Sequence, residues 1–412
     1  MSAEIAPPPP AHALARRPWA PPPGRRVVSG LLLAALVAAS AAAHAATAPR
    51  TNPAAEAMAA AQARPAAEAT GLAASTEPAA PWWMAFDDAT LNLLVHAAQQ
   101  RQAALAALQN GPADPPAARQ VDDARREAVA SYLGLRVLSA RWLALDGVAQ
   151  AALRQQQLIA ASPPADARAA SERTALMATL SQRRERVGLQ QQALAAARAE
   201  RMASLASLCG LPAAALGDLL APLLAQAQVP SFASAVPSRL PRSILRARAD
   251  VAAAEAAVLR QLRSGGSHPH EVVARMQQPE GWIDAEGDPT GLAVATMPRP
   301  SSAPLPADPE LEQFHQLLDQ AAQEVTQDLR TLAERARVRA ERAQLADASR
   351  AAFQAARDRL KTGEVSELQV LEQYQHLLAE SDRYATACGE LAMAWLRLVA
   401  STGASEQVLV RR

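Results

Sequence analysis

Few residues in this 412-residue sequence have the types and spacing that chemistry requires. His268, His270 and Glu271 are potential metal ligands, because imidazole nitrogen and carboxylate oxygen both bind zinc. The proline between the two histidines, and the Gly, Ser and Pro around them, favour a solvated loop instead. Three further histidines stand alone in helical patterns: His96, His315 and His376.

No nucleophile motif stands out either. The sequence has no phosphate-binding glycine loop and no Gly-x-Ser-x-Gly turn. The charge is balanced, with 41 Lys and Arg against 40 Asp and Glu, so no global field attracts nucleic acid. The run "SQRRERVG" (181–188) mixes Arg with Glu and Gln, as a solvated helix face does. We predict no enzyme, no cofactor, no metal site and no nucleic-acid partner.

The first 45 residues have the features of an export signal. Arg25 and Arg26 precede the apolar run "VVSGLLLAALVAASAAA", which ends in Ala-His-Ala at 43–45, a small-residue cleavage pattern. An uncleaved anchor is the alternative, but the run is short for a span of about 20 residues. Residues 46–80 hold almost no large apolar side chain and predict a disordered leader.

The elements beyond residue 80 read as long helices. Ala, Leu, Gln, Arg and Glu dominate and aromatic residues make up 3%, a composition typical of coiled coils. A first repeat spans 81–210, with a helical hairpin that turns at Pro163 and Pro164 and closes at Gly210. A linker, 211–238, follows it.

The second repeat, 239–403, has the same plan. It contains a disordered insertion at 264–308, a helix that Pro309 opens, a turn at Gly363 and a closing glycine at 403. A tail, 404–412, ends the chain. Two unrelated coiled-coil segments are the alternative, but the halves share arm length and turn placement. The predicted fold is mainly all-α, with two repeated, long, antiparallel, coiled-coil-like helical hairpins.

The sequence contains two cysteines, Cys209 and Cys388. In an oxidising compartment they could pair. Each lies among apolar residues in a helical pattern, where a buried thiol behaves as a small hydrophobic group. We favour two packed thiols, although the sequence leaves both alternatives open.

Five stretches in order carry a resemblance to a known family. They are "PWWMAFDDATLNLLVHAA" (81–98), "REAVASYLGLRVLSAR" (126–141), "LASLCGLP" (205–212), "RLPRSILRARADVAAAE" (239–255) and "RLKTGEVSELQVLEQYQHLLAE" (359–380). Together they resemble the TolC-like outer-membrane efflux family, the exit ducts of tripartite pumps. The fourth is the most specific, although Ala249 stands where the family has proline. The residues that match the family's motifs are Trp82, Trp83, Tyr132, Leu240, Pro241, Asp250 and Glu255.

The chain departs from the family where membrane strands are expected. Members insert one β-hairpin per repeat and close a barrel from three subunits. Here the first insertion site (107–121) is too short for two membrane strands of about 10 residues each. The second (264–308) is rich in proline, has one aromatic residue, Trp282, and alternates only faintly at "GLAVATM". We therefore expect these membrane β-hairpins to be reduced or absent.

The resemblance implies a function and partners. It implies a homotrimer whose helices form an α-barrel, passive export of small molecules, and work with a periplasmic adaptor and an inner-membrane pump. It places acidic gating residues at the duct tip, for which Asp166 and Glu364 are candidates. It implies export to the outer membrane or periplasm of a Gram-negative bacterium, with contact to the outer membrane in doubt.

Two other functions remain as alternatives. One is a periplasmic helical scaffold or binding protein that derives from this family and no longer spans the outer membrane. The other is a periplasmic adaptor, which would need compact β-rich segments flanking one hairpin. The two hairpins and the lack of such segments argue against the adaptor.

Overall fold

A computed structural model describes most of the chain beyond residue 80. The described residues are 81–110, 115–230, 232, 236–263, 281–285 and 309–403. The predicted signal peptide (1–45), leader (46–80) and tail (404–412) lie outside them. So does the predicted insertion, 264–308, apart from residues 281–285.

The first repeat begins with a 3₁₀ helix, Trp82–Phe86, and three α-helices follow it. Helix α1 is Ala89–Asn110, α2 is Pro115–Ala161 and α3 is Ala167–Cys209. The Asp88 carboxylate starts α1, because it accepts hydrogen bonds from the backbone N–H groups of the second and third residues beyond it, at 2.9 and 3.0 Å.

A short connecting region leads to the second repeat. It contains helix α4, Ala213–Leu224, which the sequence pattern did not predict. Strand β1, Arg239–Pro241, comes next, followed by a 3₁₀ helix, Arg242–Ala247, and helix α5, Ala249–Arg263. In each repeat a 3₁₀ helix therefore precedes a shorter α-helix, and in the second repeat strand β1 precedes both.

Part of the predicted insertion forms a strand. Residues Trp282–Asp284 are β2 and pair with β1 in antiparallel register, with Leu240 opposite Ile283. Both of these side chains are buried. This two-stranded sheet is the β-structure of the described residues.

The second hairpin closes the fold. Helix α6 is Pro309–Lys361 and helix α7 is Glu367–Thr402. At 1.5 Å per residue, the 47, 43, 53 and 36 residues of α2, α3, α6 and α7 give rods of about 70, 65, 80 and 54 Å. The predicted mainly all-α class with two long antiparallel hairpins is confirmed.

The four long helices pack side by side. Helix α2 packs against α3 and α7, and α7 packs against α2 and α6. Their order is therefore α3, α2, α7, α6. Within the described residues α3 and α6 share no extended contact, so each is an edge of this layer of four long helices. The shorter helices α1 and α5 cover part of these edges, because α1 packs against α3 and α5 packs against α6.

Packing divides the molecule into two regions, which we name the base and the arms. The arms are residues 137–161, 167–200, 333–361 and 367–390 of the four long helices. The base is the remainder of the described chain. The base holds nearly all the large buried side chains, among them Phe86, Tyr132, Leu205, Leu220, Leu245, Phe314, Leu329 and Trp395.

Buried positions of the arms are mostly alanine or polar. The larger apolar residues buried there are Ile159, Leu180, Val187 and Val370. Within the described residues no single helix has both the length and the apolar character for crossing a membrane; α3 and α4, bent by 118° at their junction, pass that test only as a pair.

Candidate duct helices and their turns

The turn between α2 and α3 contains the predicted residues Pro163, Pro164 and Asp166. Asp166 caps α3, since its carboxylate accepts a hydrogen bond from the backbone N–H of Ala169 at 2.7 Å. Arg173, in the second helical turn of α3, donates a hydrogen bond to the carbonyl oxygen of Ser162 at 3.1 Å. The Asp166 side chain is exposed, so the cap leaves its charge at the surface.

The turn between α6 and α7 is built on Gly363, whose φ of 78° lies in the left-handed region. Glu364 accepts hydrogen bonds from the hydroxyl of Thr362 at 2.8 Å and from Arg359 at 3.2 Å. The Thr362 hydroxyl and then the Arg359 guanidinium lower the pKa of the Glu364 carboxyl. Glu364 is therefore an exposed carboxylate held in one position.

Helix α7 begins at Glu367, four residues beyond the turn glycine Gly363. Ser366 is its N-cap, and the side chain and backbone of Ser366 exchange hydrogen bonds with Gln369 in a capping box. The Ser-x-x-Gln spacing in "SELQ" is the signal that could have located this start from the sequence.

The two turns lie at the same end of the hairpin pair. Leu368, in the first helical turn of α7, packs against the small cluster of Ala152, Ile159 and Leu180. Arg154 of α2 donates two hydrogen bonds to Glu367 of α7, at 2.7 and 3.1 Å. The first helical turn of α7 therefore lies beside the last helical turns of α2.

Further polar contacts join the hairpins along the arms. Arg141 of α2 contacts Asp382 of α7 at 2.8 Å. Gln375 of α7 donates to the side chain of Gln155 at 2.9 Å and accepts from Arg183 of α3 at 2.7 Å. One amide of α7 thus connects all three helices on this side of the layer.

Glu380 is the buried acid of the arms, with 5% of its surface exposed. One carboxylate oxygen accepts a hydrogen bond from Arg383 on the same helix. The other has no hydrogen-bond partner and lies 4.0 Å from a guanidinium nitrogen of Arg342 on α6. The acid therefore sits between two arginines, one from each helix of the second hairpin.

The motif residues of the first repeat lie in the base. Trp82 and Trp83 are buried and pack edge to face, with ring centroids 5.4 Å apart. Tyr132 is fully buried; its hydroxyl donates to Asp88 at 2.7 Å and accepts from Arg136 at 2.8 Å. Burial and then the hydrogen bond to Asp88 raise the pKa of Tyr132, so the phenol stays neutral. This network joins the start of α1 to α2.

The motif residues of the second repeat also lie in the base. Leu240 is buried in β1 beside Pro241. Asp250 contacts Arg248 at 2.8 Å, and Glu255 lies 3.8 Å from Arg246. The hydrogen bond from Arg248 lowers the pKa of Asp250. In both repeats these residues lie in the base, and none of them lies at the turns.

Both cysteines are buried free thiols. Cys209 donates to the carbonyl oxygen of Leu94 at 3.4 Å, and burial raises the pKa of its thiol to about 11. Burial also raises the pKa of Cys388. The preference for packed thiols over a disulfide is confirmed.

The described residues form no candidate metal site. No group of three or more His, Cys, Asp or Glu side chains there could hold a metal ion. His268, His270 and Glu271 lie outside the described residues.

Comparison with known proteins identifies the fold. No family model matches the sequence, and no curated protein matches it. One match is the structure of CusC, a protein whose structures concern folding and transmembrane channel formation. The TM-score is 0.57 and the sequence identity is 16%, and the match covers 77% of this chain and 98% of that one.

Two outer-membrane channels match at lower scores. OprN has 17% identity, a TM-score of 0.47 and coverage of 79% and 92% of the two chains. CmeC of Campylobacter jejuni has 13% identity and a TM-score of 0.45, and the match covers 82% of this chain and 91% of that one. The likeness to CusC shows that this chain shares the fold of that channel protein. The predicted resemblance is confirmed at that level.

The contacts between hairpins could not be found from the sequence. Arg154 and Glu367, like Arg141 and Asp382, are separated by more than 200 residues. No local spacing relates such partners, and each residue resembles many other charged residues on the helices.

Proposed function

We propose that this protein is an efflux duct component of the outer membrane, which exports small molecules passively through a trimeric α-helical channel in a tripartite pump. The observation that carries the proposal is the pair of open edges, α3 and α6. When copies join edge to edge, α3 of one against α6 of the next, they form a closed ring if the rotation between neighbours closes.

The arm segments of the two edge helices bury few residues in one copy. Along α3 the buried residues of the arm are Leu180 and Val187. Along the arm of α6 the buried residue is Ala346. Isolated helices gain most of their stability from packing one face, so rods of this length need a further partner.

Apolar side chains remain exposed on both edge helices. Leu176 and Leu189 of α3 are 47% and 68% exposed, and Leu345 and Leu360 of α6 are 47% and 37% exposed. Because these leucines are already partly buried, covering the exposed part of each one contributes about 0.5–2 kcal/mol. These residues are the proposed contacts between protomers.

The further parts of the proposal come from the fold resemblance. The chain is exported to the outer membrane or periplasm of a Gram-negative bacterium, assembles as a homotrimer, and works with a periplasmic adaptor and an inner-membrane pump. It is a conduit and no enzyme, so the energy for transport is supplied by the pump.

The acidic turn residues form the proposed gate. Asp166 and Glu364 are exposed carboxylates held by local hydrogen bonds, at the end where both turns lie. Three copies would bring them together in rings of like charge, which select and retard ions near the opening.

Membrane fractionation and subunit mass test the assembly. The mature chain should fractionate with outer membranes as a trimer that resists heating in detergent. Leu189→Arg should dissociate the trimer, because it places a charge in the contact, whereas Leu189→Met preserves volume and should leave it intact. A monomer that stays soluble in the periplasm would refute the duct and favour the scaffold.

Charge substitutions test the gate. Asp166→Asn keeps an N-cap of equal strength and removes the charge, so it separates the two roles of this residue. In planar bilayers we expect Asp166→Asn and Glu364→Gln to reduce cation preference and Asp166→Arg to reverse it. Unchanged conductance and selectivity in all three would exclude these residues from the gate.

A further inference from the structure

Where the two hairpins meet, α2 and α7 each place one glycine against the other helix. Gly147 of α2 contacts Leu378 of α7, and Gly389 of α7 contacts Val137 of α2. A Cβ at 147 would lie 2.7 Å from Cδ1 of Leu378, and a Cβ at 389 would lie 3.1 Å from Cγ2 of Val137. Neither distance accommodates a methyl group unless the neighbour shifts.

The two contacts are reciprocal. Each helix supplies one glycine and one branched side chain that fills the glycine on the other helix. The contacts are separated by ten residues along α2, which is about 15 Å. If α7 slid along α2, both side chains would leave their glycines together and meet residues that carry a Cβ.

Ion pairs follow the same register. Arg141 and Asp382 lie between the two glycine contacts, and Arg154 and Glu367 lie beyond the second toward the turns. Half-exposed pairs of this kind add little stability. They form in one alignment of the helices only, so they add specificity to the steric contacts.

We propose that this seam between α2 and α7 is a register lock. Gly147 and Gly389, filled by Leu378 and Val137, fix the axial position of the second hairpin against the first. The lock keeps the first helical turn of α7 beside the last helical turns of α2. It therefore holds the α2–α3 turn and the α6–α7 turn at the same height along the helix axes. The lock is a property of one chain; its consequence for the gate rests on the proposed function.

Spin labels at the two turns measure the register directly. Ala165→Cys and Lys361→Cys introduce exposed labelling sites on the full chain, with Cys209 and Cys388 replaced by alanine. Labelled chains diluted with unlabelled ones report the distance within one protomer by pulsed electron paramagnetic resonance. This distance is independent of transport, so loss of conductance or of the trimer contradicts the proposed function without affecting the lock.

Gly147→Leu is the decisive change. It should displace the α6–α7 turn along the helix axis by about 1.5 Å for a one-residue slip, up to about 5 Å for a full turn, and shift or broaden the distance between the labels by up to that amount. Gly188→Leu is the matched control, because a Cβ there has no neighbour within 4 Å, and should leave the distance unchanged. The exchange Gly147→Leu with Leu378→Gly moves the side chain to the other helix and should restore the original distance.

Smaller substitutions keep the lock testable if Gly147→Leu does not fold. Gly147→Ala should lower the melting temperature of the wild type, and should lower it much less in a Leu378→Ala background, because the new methyl then occupies the vacated space. An unchanged distance in folded Gly147→Leu, an exchange variant that fails to restore it, or additive effects in the alanine pair would each overturn the proposal.

Discussion

The base and the arms are held together by different means. The base buries tryptophan, tyrosine, phenylalanine and leucine from both repeats in one continuous cluster. The arms have one small cluster, around Ile159 and Leu180, and otherwise use alanine, glycine and paired polar groups. The base is therefore a conventional core that one chain completes, whereas the arms are positioned by specific contacts and leave two edges open.

Deleting a central base side chain should have the largest effect. Trp395 is 1% exposed and its indole N–H donates to the carbonyl oxygen of Trp82 at 3.3 Å. Trp395→Ala should lower the free energy of unfolding in guanidinium by about 3–5 kcal/mol. Met393→Ala, two residues away and 44% exposed, should change it by no more than about 0.5 kcal/mol. Similar losses in both variants would contradict a single core in the base.

Two glycines, one in each region, have similar positive φ angles and allow the regions to be compared. Gly403, in the base, has a φ of 68° and Gly363, at the turn of the arms, has a φ of 78°. Alanine at either position is strained by about 1–2 kcal/mol. A Cβ at 403 would also lie 2.7 Å from the backbone nitrogen of Arg248, whereas one at 363 has no neighbour within 4 Å.

Gly403→Ala should therefore lower the free energy of unfolding by about 3 kcal/mol, and Gly363→Ala by about 1 kcal/mol. Thermal unfolding of the two variants, followed by circular dichroism, measures the difference. Equal losses would mean that backbone strain alone decides both positions, and the contrast between base and arms would not extend to the turns.

Alkaline pH should weaken the base through Cys209. Burial raises the pKa of this thiol from 9.0 to about 11, so the folded state keeps its proton at a pH where the unfolded chain ionises. The contribution is complete below pH 9 and is lost as the pH rises to about 11, by up to about 2 kcal/mol.

Unfolding midpoints of wild type and Cys209→Ala at several pH values between 8 and 11 test this dependence. The difference between the two proteins isolates the thiol from the tyrosines, which also titrate in alkali. Parallel curves would show that Cys209 is ionised to the same extent in both states.

The ion pair of the arms should have the smallest effect. Arg154 and Glu367 are 43% and 36% exposed, and pairs at such positions contribute about 0.2–1 kcal/mol. A double-mutant cycle of Arg154→Ala and Glu367→Ala should give a coupling in that range that falls with added salt. A coupling above about 2 kcal/mol, insensitive to salt, would place a major source of stability in the arms.

Local patterns in the sequence determined the helices and turns of this protein. Apolar periodicity, Pro163 and Pro164, and the glycines at 210, 363 and 403 delimit the two hairpins, because helix formation and termination depend on residues within a few positions. The paired halves also indicated a repeat. Asp166 and Glu364 were located at the turns by the same reasoning, while their role in a gate stays a prediction.

The tertiary structure alone decided how the hairpins combine. That α7 packs against α2, that Gly147 receives Leu378, and that α3 and α6 are left as edges follow from contacts between residues far apart in the chain. Alanine-rich helices present similar surfaces on several sides, so the sequence permits many pairings and registers. Steric fit at two glycines and a few charge pairs selects one of them, and these contacts form only when both hairpins are in place.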